Sequence, residues 1–487
     1  MQRQRFLFPA LALLTVWRLV LLPTCELSPG EAMSAVAAAQ PGWTWSGTSP
    51  VLTLLAKIGL LVSGNSEYGV RLFAPLLAFA ASLITFRLAK EWFDELTAAW
   101  SVVILNVIPA FNLAAIYLTP GSIAFAGYAA LALCLTVALK RSGKWHRAWL
   151  GAAACVLVLA FSEGGNLVAL LAVGCALWIT PGARQRLVQP EFWLVVGAWA
   201  VGIVTWAIWW NANTWHDVDL VEWQPDWRIV PAVFRWLLLA SPMVVYVLVR
   251  EWRRIRSGRG GDAPVSFLIG LAIPLMCADL ARGACRAWPD VGHAAWLLPV
   301  VVMLAHHSRQ MMSVSLEAKV SIRTAIIGLA AAQSLLLMRT DLLRNAGMPW
   351  EFAQRSDERR TYSRFVSADP AGAMNGWRET AKIVRQVMDS DPTGKWRLVT
   401  DHWQLAAPIS FYASHDVEVI ERFLDNGTVG GNALFITDDE RCKAVPEKLA
   451  QSFEKTKIVS IAEIMHGGHQ VRTVKIFACL HYHAPDL

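Results

Sequence analysis

Charged residues are scarce in this sequence of 487 residues: 17% are Asp, Glu, Lys or Arg, whereas 55% are hydrophobic. A soluble protein could not bury so many long apolar segments, so the composition excludes a soluble enzyme and indicates an integral membrane protein. The eight cysteines are scattered and form no Cys-x-x-Cys pair or Cys/His cluster, so no metal-binding motif is predicted. The net charge of +7 resides in short basic groups between apolar segments, so no nucleic-acid partner is expected.

The apolar segments approach the length of membrane-spanning helices, which need about 20 residues to cross a bilayer. We therefore predict a membrane α-helical bundle of about 11 to 13 transmembrane helices, in which the segment 51–63 is a further span or an interfacial helix. The first 22 residues have no small-residue cleavage site and are expected to remain as an anchor. The candidate spans lie near residues 6–22, 69–89, 97–117, 122–139, 147–161, 164–180, 192–210, 229–249, 265–281, 291–305 and 322–338.

The distribution of basic residues predicts the orientation of the chain in the membrane. Segments on the side of the N-terminus contain eighteen Lys and Arg residues, whereas the short segments opposite contain three, Arg228, Arg282 and Arg286. Basic residues are retained in the cytoplasm, so the N-terminus is predicted to be cytoplasmic. An odd number of spans then places everything after Met338 outside.

From residue 339 onward the sequence changes to polar segments in which β-type and helical patterns alternate. We predict two domains, a transmembrane domain of residues 1–338 and a small extracytoplasmic α/β domain of residues 339–487. Cys442 and Cys479 would then face an oxidising compartment, where a disulfide between them is one alternative. The β-type segments are Arg397–Thr400, Asp416–Ile420, Ala433–Thr437, Lys457–Ile461 and Val471–Leu480, and Trp377–Met388 has helical spacing.

The first outer loop, Pro23–Pro50, contains no Lys or Arg but carries Glu26 and Glu31. A carboxylate held at a membrane surface can act as a general base toward a hydroxyl, or can help to bind a divalent cation on a phosphate leaving group. The alternative is a carboxylate that is simply solvated at the end of a loop, which composition favours.

Arginines predicted within or beside the spans are the second group of candidates. A charge in hydrocarbon needs a partner or water, and a guanidinium can bind two phosphate oxygens at once. Arg71 and Arg235 are therefore candidate ligands of a lipid phosphate. Arg18 and Arg87 are more simply explained as side chains that extend to the membrane surface.

Several short motifs occur in an order that resembles a known family. They are Leu27-Ser28-Pro29-Gly30-Glu31-Ala32, Gly64 to Leu72, Tyr117 to Ser122, Phe161 to Gly165, Trp209-Trp210-Asn211, Ala287-Trp288-Pro289, Gly376 to Glu379, Asp401 to Ala406, Phe411-Tyr412 and Ala433 to Thr437. Over nearly its whole length the chain resembles bacterial glycosyltransferases of family 39 in the membrane-embedded GT-C superfamily. Protein O-mannosyltransferases and the lipid A aminoarabinose transferase are related members.

The resemblance implies that a sugar is transferred from a polyprenyl-phosphate donor to an acceptor on the outer face of the bacterial inner membrane, often with a divalent cation. In the family an Asp stands where this chain has Gly30, and a second Asp stands at Gly121, before Ser122. Glu163 occupies the position of a family Lys. Glycine has neither a basic oxygen nor a metal ligand, so the family mechanism cannot run through these two positions.

Glu31 is the acid that remains in the first motif, and it is the candidate catalytic base. Arg71 and Arg235 are the candidate ligands of the donor phosphate, and no metal ligands are assigned. The alternative is a catalytically inactive GT-C scaffold that binds lipid and serves as an accessory subunit of a larger membrane complex with protein partners.

Overall fold

The computed structural model describes residues 6–39, 49–140, 147–162, 167–213, 249–250, 253, 263–285, 291–311, 325, 328–336, 338–339, 374–390, 395–426, 431–439, 442–466 and 469–483. These residues divide into two compact units. The first unit contains the described residues of 6–22 and 49–335, and the second contains those of 23–39 and 336–483. Residues 23–39 thus belong to the same unit as the described residues after 335.

Among the described residues, helices dominate up to residue 311, and all five strands of the sheet lie after residue 395. In chain order the described helices and strands are α1 (Leu7–Leu21), α2 (Pro29–Ala39), α3 (Pro50–Ser63), α4 (Glu67–Arg71), α5 (Phe73–Trp92), α6 (Glu95–Val107), α7 (Pro109–Ala114), α8 (Pro120–Lys140), α9 (Arg147–Ser162), α10 (Leu167–Ile179), α11 (Pro190–Asn213), α12 (Ala263–Cys285), α13 (Leu297–Met311), α14 (Trp377–Asp389), β1 (Trp396–Thr400), α15 (Trp403–Ala413), β2 (Val417–Val419), α16 (Ile420–Asn426), β3 (Asn432–Thr437), α17 (Glu447–Ala450), β4 (Phe453–His466) and β5 (His469–Tyr482).

The first unit is a bundle of apolar helices. Within the described residues, four helical segments are long and apolar enough to cross a membrane: Leu7–Thr24, Glu67–Trp92, Pro120–Lys140 and Pro190–Ile208. Shorter apolar helices accompany them, among them α3, α6 and α9. The chain is therefore a multi-pass membrane protein, whereas the total of 11 to 13 spans stays a prediction. The predicted span 229–249 lies almost entirely outside the described residues, and the predicted span 322–338 lies partly outside them.

One predicted span is divided in the structure. The segment 97–117 forms α6 and α7, which are separated at Ile108 with an extended ψ of 125°. Pro109 follows directly; it has no N–H group to donate and disfavours a helical conformation in the residue before it. The apolar pattern thus predicted one continuous span, whereas the helix is interrupted at Ile108.

Close helix packing in the first unit depends on small residues. A side chain built at Gly270 would place its Cβ 2.5 Å from the Cα of Ala176, so α12 and α10 can approach each other because this position has no side chain. The same bundle packs α5 against α6 and α8, and α8 against α9. Its core is rich in alanine, valine and leucine.

The sheet of the second unit has the order β2-β1-β3-β5-β4. Strands β2, β1 and β3 are parallel, whereas β5 pairs antiparallel with both β3 and β4. Residues of α14 and α15 belong to the core on one face, and residues of α16 and α17 belong to the core on the other face. The connection from β1 to β2 therefore contributes to one face and that from β2 to β3 to the other, as in doubly wound folds.

Each predicted β-type segment overlaps an observed strand, and the predicted helix over 377–388 matches α14. The difference is largest at β4, which is longer than predicted. β4 is an edge strand with most of its residues exposed or half-buried, so it lacks the alternation of buried and exposed positions that a strand with one buried face shows. Cys442 and Cys479 are free thiols, so no disulfide joins them. Burial raises the pKa of the Cys479 thiol to about 12.

Candidate functional site

Glu31 lies in the first turn of α2, where its side chain contacts Ser28. Its Oε2 accepts hydrogen bonds from the N–H and the hydroxyl of Ser28, both at 3.0 Å. In return the N–H of Glu31 donates to the Ser28 Oγ at 3.3 Å. This reciprocal arrangement is a capping box, and Pro29 occupies the first helical position, where a missing N–H costs nothing. Glu31 is 2% exposed, so one oxygen of the candidate base has a structural task.

Gly30 stands beside this cap with open space around it. An added Cβ at Gly30 would meet no atom within 4 Å. A carboxylate there would also lie at the start of a helix, where negative charge is favoured. A Cβ therefore fits at this position without displacing a neighbouring atom.

Glu26, the other acid of the loop, caps a different helix. Its Oε2 accepts hydrogen bonds from the N–H groups of Trp377 and Arg378, which begin α14. Burial raises the pKa of Glu26, and these hydrogen bonds together with the charges of Arg378 and Arg472 oppose that effect. Glu26 and Glu31 are thus both helix caps. The expectation of a carboxylate solvated at the end of a loop is wrong for Glu31, which is buried.

In the first unit the structure brings Arg71, of the motif Gly64 to Leu72, together with the motif Tyr117 to Ser122. Arg71 is fully buried, and its Nη1 donates to the carbonyl of Leu22 at 3.1 Å. Its guanidinium lies 5.0 Å from the centre of the Tyr117 ring, which is within the range of a cation–π contact. Two motif segments that are far apart in the sequence therefore meet in one place.

The segment Tyr117 to Ser122 begins helix α8 with one half of a capping box, whereas both halves are formed at the start of α2. The N–H of Thr119 donates to the Oγ of Ser122 at 3.2 Å, so Ser122 caps the helix whose first residue is Pro120. The Ser122 Oγ is also within 2.8 Å of the carbonyl of Tyr117. Gly121 is buried at the second helical position, as Gly30 is the second residue of α2. Both segments are thus helix starts with a Pro-Gly pair, and in each the glycine is the second helical residue.

Arg235 and Glu163 lie outside the described residues. Arg87 is exposed, in agreement with a side chain that extends to the surface. The corresponding prediction for Arg18 is wrong, because Arg18 is 1% exposed. Its Nη1 donates to the Asn106 Oδ1 at 3.1 Å and its Nη2 to the Asn112 Oδ1 at 2.9 Å, so side-chain amides hold its two terminal nitrogens inside the bundle, whereas its buried Nε has no hydrogen-bond partner among the described residues.

A further charged cluster lies in the second unit where β1 and β3 end. Asp401 and His402 follow β1, and Asp438 follows β3. The His402 Nε2 lies 3.2 Å from the Asp438 Oδ1 and 3.4 Å from the Asp401 Oδ1, and Thr437 donates to the Asp401 Oδ2 at 2.7 Å. Polar residues directly after two predicted strands were a signal for this cluster, because the carboxyl ends of adjacent parallel strands meet.

The two carboxyls of this cluster are affected in opposite directions. Burial raises the pKa of Asp401, although the charge of His402 and the hydrogen bond from Thr437 oppose it. Burial also acts on Asp438, but the hydrogen bond from His402, its charge and that of Arg472 outweigh it and hold the pKa of Asp438 below its ordinary value.

We expect Asp438→Asn to destabilise the sheet at neutral pH and to have less effect in acid. Because the folded-state pKa of Asp438 is depressed, its carboxylate stabilises the fold above its ordinary pKa of 3.8, and this contribution is lost as the pH falls through the folded-state pKa. The free energy of local opening, from hydrogen exchange of β3 and β5 peptides in the whole chain, should fall by about 1–2 kcal/mol at pH 7. Asp416→Asn, at an exposed position, is the control. A loss that is equal at all pH values would contradict the assignment.

Glu31, Gly30 and Gly121 do not provide a divalent-cation site. In the described part of the chain, no group of three or more His, Cys, Asp or Glu side chains could hold a metal ion. Glu31 contributes one oxygen to its capping box, and Gly30 and Gly121 contribute no ligand.

Comparisons with known proteins agree with the resemblance. Residues 47–210 match the family model described as dolichyl-phosphate-mannose-protein mannosyltransferase. No curated protein sequence matches the chain.

Solved structures extend the similarity to nearly the whole chain. ArnT from Cupriavidus metallidurans bound to undecaprenyl phosphate is 15% identical, with a TM-score of 0.60, over 97% of this chain and 98% of that chain. The apo state of the same protein gives a TM-score of 0.56 at 15% identity over 97% of each chain. Arabinofuranosyltransferase AftD from Mycobacteria is 13% identical, with a TM-score of 0.53, over 99% of this chain and 40% of that chain. The resemblance to GT-C membrane glycosyltransferases is thus confirmed for the fold.

Proposed function

We propose that this chain is a membrane glycosyltransferase that takes a sugar from a polyprenyl-phosphate carrier on the outer face of the bacterial inner membrane. The observation that carries the proposal is the agreement in fold with undecaprenyl-phosphate-bound ArnT over 97% of this chain and 98% of that chain. In this proposal the N-terminus is cytoplasmic, residues 1–338 form 11 to 13 spans by the lengths that a bilayer requires, and residues 339–487 are periplasmic.

The proposed transfer assigns one role to each group of residues. The oxygen of the acceptor hydroxyl bonds to the anomeric carbon of the sugar, and Glu31 accepts the proton of that hydroxyl. The bond from that carbon to the phosphate oxygen breaks, and polyprenyl phosphate leaves with the bonding electrons. Arg71 and Arg235 neutralise the phosphate. The buried position of Arg71, between the carbonyl of Leu22 and the ring of Tyr117, gives its charge a fixed place.

A catalytically inactive scaffold is the second candidate, and a specific observation favours it. The Glu31 Oε2 is engaged by two donors of Ser28, and both family acid positions are glycines. A protein of this kind would bind polyprenyl phosphate and protein partners without transferring sugar.

We expect Glu31→Gln to lower the rate of sugar transfer by about 10²- to 10⁴-fold, the usual contribution of a general base. The substitution separates the two tasks of Glu31, because glutamine also completes a capping box but accepts no proton. Glu31→Ala removes both tasks and is the matched variant for the loss of the cap. Transfer is measured with purified protein and polyprenyl-phosphate sugars, and binding with undecaprenyl phosphate alone.

The outcomes distinguish the two functions. Transfer that persists unchanged in Glu31→Gln would eliminate Glu31 as the base. Binding of undecaprenyl phosphate without transfer in the wild type, together with copurification of partner proteins in a fixed ratio, would establish the scaffold.

A further inference from the structure

We infer that the α/β sheet of the second unit positions the acid loop, residues 23–39, and that Glu26 and Tyr412 are the positioning residues. The loop carries Glu31, so the sheet would set the place of the candidate base. The catalytic part of this inference rests on the proposed function.

Two consecutive residues of the loop form hydrogen bonds with helices that pack on the sheet. The Glu26 Oε2 accepts hydrogen bonds from the N–H groups of Trp377 and Arg378. The next residue, Leu27, donates its N–H to the Tyr412 Oη at 2.8 Å. Helix α2, which forms the C-terminal part of the acid loop, packs against α15, which contains Tyr412. Consecutive residues of the loop are therefore held by two different helices, which fixes both its place and its direction.

The start of α14 is built to receive a carboxylate from elsewhere in the chain. Gly376 precedes the helix with a left-handed φ of 85° and provides no side-chain cap. An added Cβ there would lie 2.6 Å from the Ile464 Cγ2 and 2.9 Å from the Val471 Cγ2, so both conformation and space favour glycine. A glycine cannot cap the first N–H groups of its helix, and these need an acceptor. Glu26, which lies about 350 residues earlier in the chain, supplies it.

The helices that hold the loop are themselves fixed to the sheet. Trp377 is 3% exposed and shares a core with Val384 of α14, Leu405 of α15 and residues of all five strands. The guanidinium of Arg472, from β5, lies over the Trp377 ring at 3.2 Å from its centre. The anchors of the loop thus move only if the core moves.

Loss of either anchor should be transmitted to Glu31. Leu27 is fully buried, so its N–H cannot turn to water when the Tyr412 hydroxyl is removed. Ser28, which follows Leu27 directly, forms the cap with Glu31. A shift of Leu27 therefore displaces the capping box, and misplacement of a reacting group by about 1 Å can cost about 100-fold in rate.

The test compares Tyr412→Phe with Tyr482→Phe in the full-length protein. Both variants keep the ring and remove a single hydroxyl of the same unit, but the Tyr482 hydroxyl donates to the carbonyl of Leu424, away from the loop. Three quantities are measured on each preparation: hydrogen exchange of peptides covering 23–39, binding of undecaprenyl phosphate, and kcat of sugar transfer. Glu26→Gln and Glu26→Ala form a second pair, since the amide oxygen of glutamine still accepts the two hydrogen bonds.

We expect Tyr412→Phe to speed exchange in the loop and to lower kcat about tenfold or more, with undecaprenyl phosphate binding and exchange in β4 and β5 unchanged. Tyr482→Phe should leave loop exchange and kcat at wild-type values. Glu26→Ala should resemble Tyr412→Phe, and Glu26→Gln should be milder.

Two results would overturn the inference. One is loop exchange that does not change in Tyr412→Phe and Glu26→Ala; the other is faster loop exchange with an unaltered kcat in an active enzyme. If the wild type transfers no sugar, the proposed function fails separately. The exchange and binding data then still decide whether the sheet holds the loop.

Discussion

Gly30→Asp should raise the rate of sugar transfer by about 100-fold or more, because it returns a carboxylate to the position where the resembling family has its acid. The structure leaves room for the Cβ of the new side chain. An added Cβ meets no atom within 4 Å, and the position lies in the first turn of α2, where an acidic side chain is favoured. A gain in activity is more informative than a loss, since misfolding cannot produce it.

The matched control for this prediction is Gly30→Asn. Asparagine has the same shape as aspartate and the same effect on the backbone, but it cannot accept a proton at neutral pH. The rate is measured with purified variants under single-turnover conditions, so that product release does not conceal the chemical step. In the Gly30→Asp background, a further Glu31→Gln substitution should have little effect, because the new carboxylate replaces Glu31 as the base.

Two outcomes would contradict the expectation. Equal rates for Gly30→Asp and Gly30→Asn would show that a base at this position contributes nothing to transfer. A folded Gly30→Asp protein that binds undecaprenyl phosphate but transfers no sugar would favour the inactive scaffold.

Local signals in the sequence predicted much of the second unit. Strands β1 and β3 are short and apolar, and α14 has apolar residues at helical spacing, so each could be identified without its neighbours. The order of the strands was not predicted, because the pairing of β5 with β3 joins residues that no short segment relates. Asp401 and Asp438 lie together because the parallel strands before them are adjacent.

The roles of the loop acids could be predicted in part. Ser28-Pro29-Gly30-Glu31 has the spacing of a capping box, so the structural task of Glu31 was visible in the sequence. The task of Glu26 was not, because its partners are backbone N–H groups of a helix about 350 residues away. When the capping side chain comes from a distant part of the chain, the sequence near the capped helix shows only that a glycine precedes it, as Gly376 precedes α14.

Arg18 shows why the environment of a charged residue in a membrane span cannot be predicted from the sequence of that span alone. Its position near the end of α1 suggested a side chain that reaches the membrane surface. Instead Asn106 and Asn112, on α6 and α7, hold it inside the bundle, and Asn112 in turn donates to the carbonyl of Ala330. Neither asparagine lies in a sequence pattern that indicates its role. The hydrogen bonds that join Asn106 and Asn112 to Arg18 form because several helices pack together.

Asn112→Leu should therefore destabilise the folded bundle by about 3–5 kcal/mol, because it removes an acceptor and leaves the Arg18 charge buried with one amide partner. The double variant Arg18→Met/Asn112→Leu should be less destabilised than Asn112→Leu, since it removes the charge as well as its partner. Thr85→Val, which removes a buried hydroxyl bonded to Ala81 within its own helix, is the control and should cost about 1 kcal/mol. Unfolding in detergent with a double-mutant cycle measures the coupling, and strictly additive effects would show that Arg18 does not depend on Asn112.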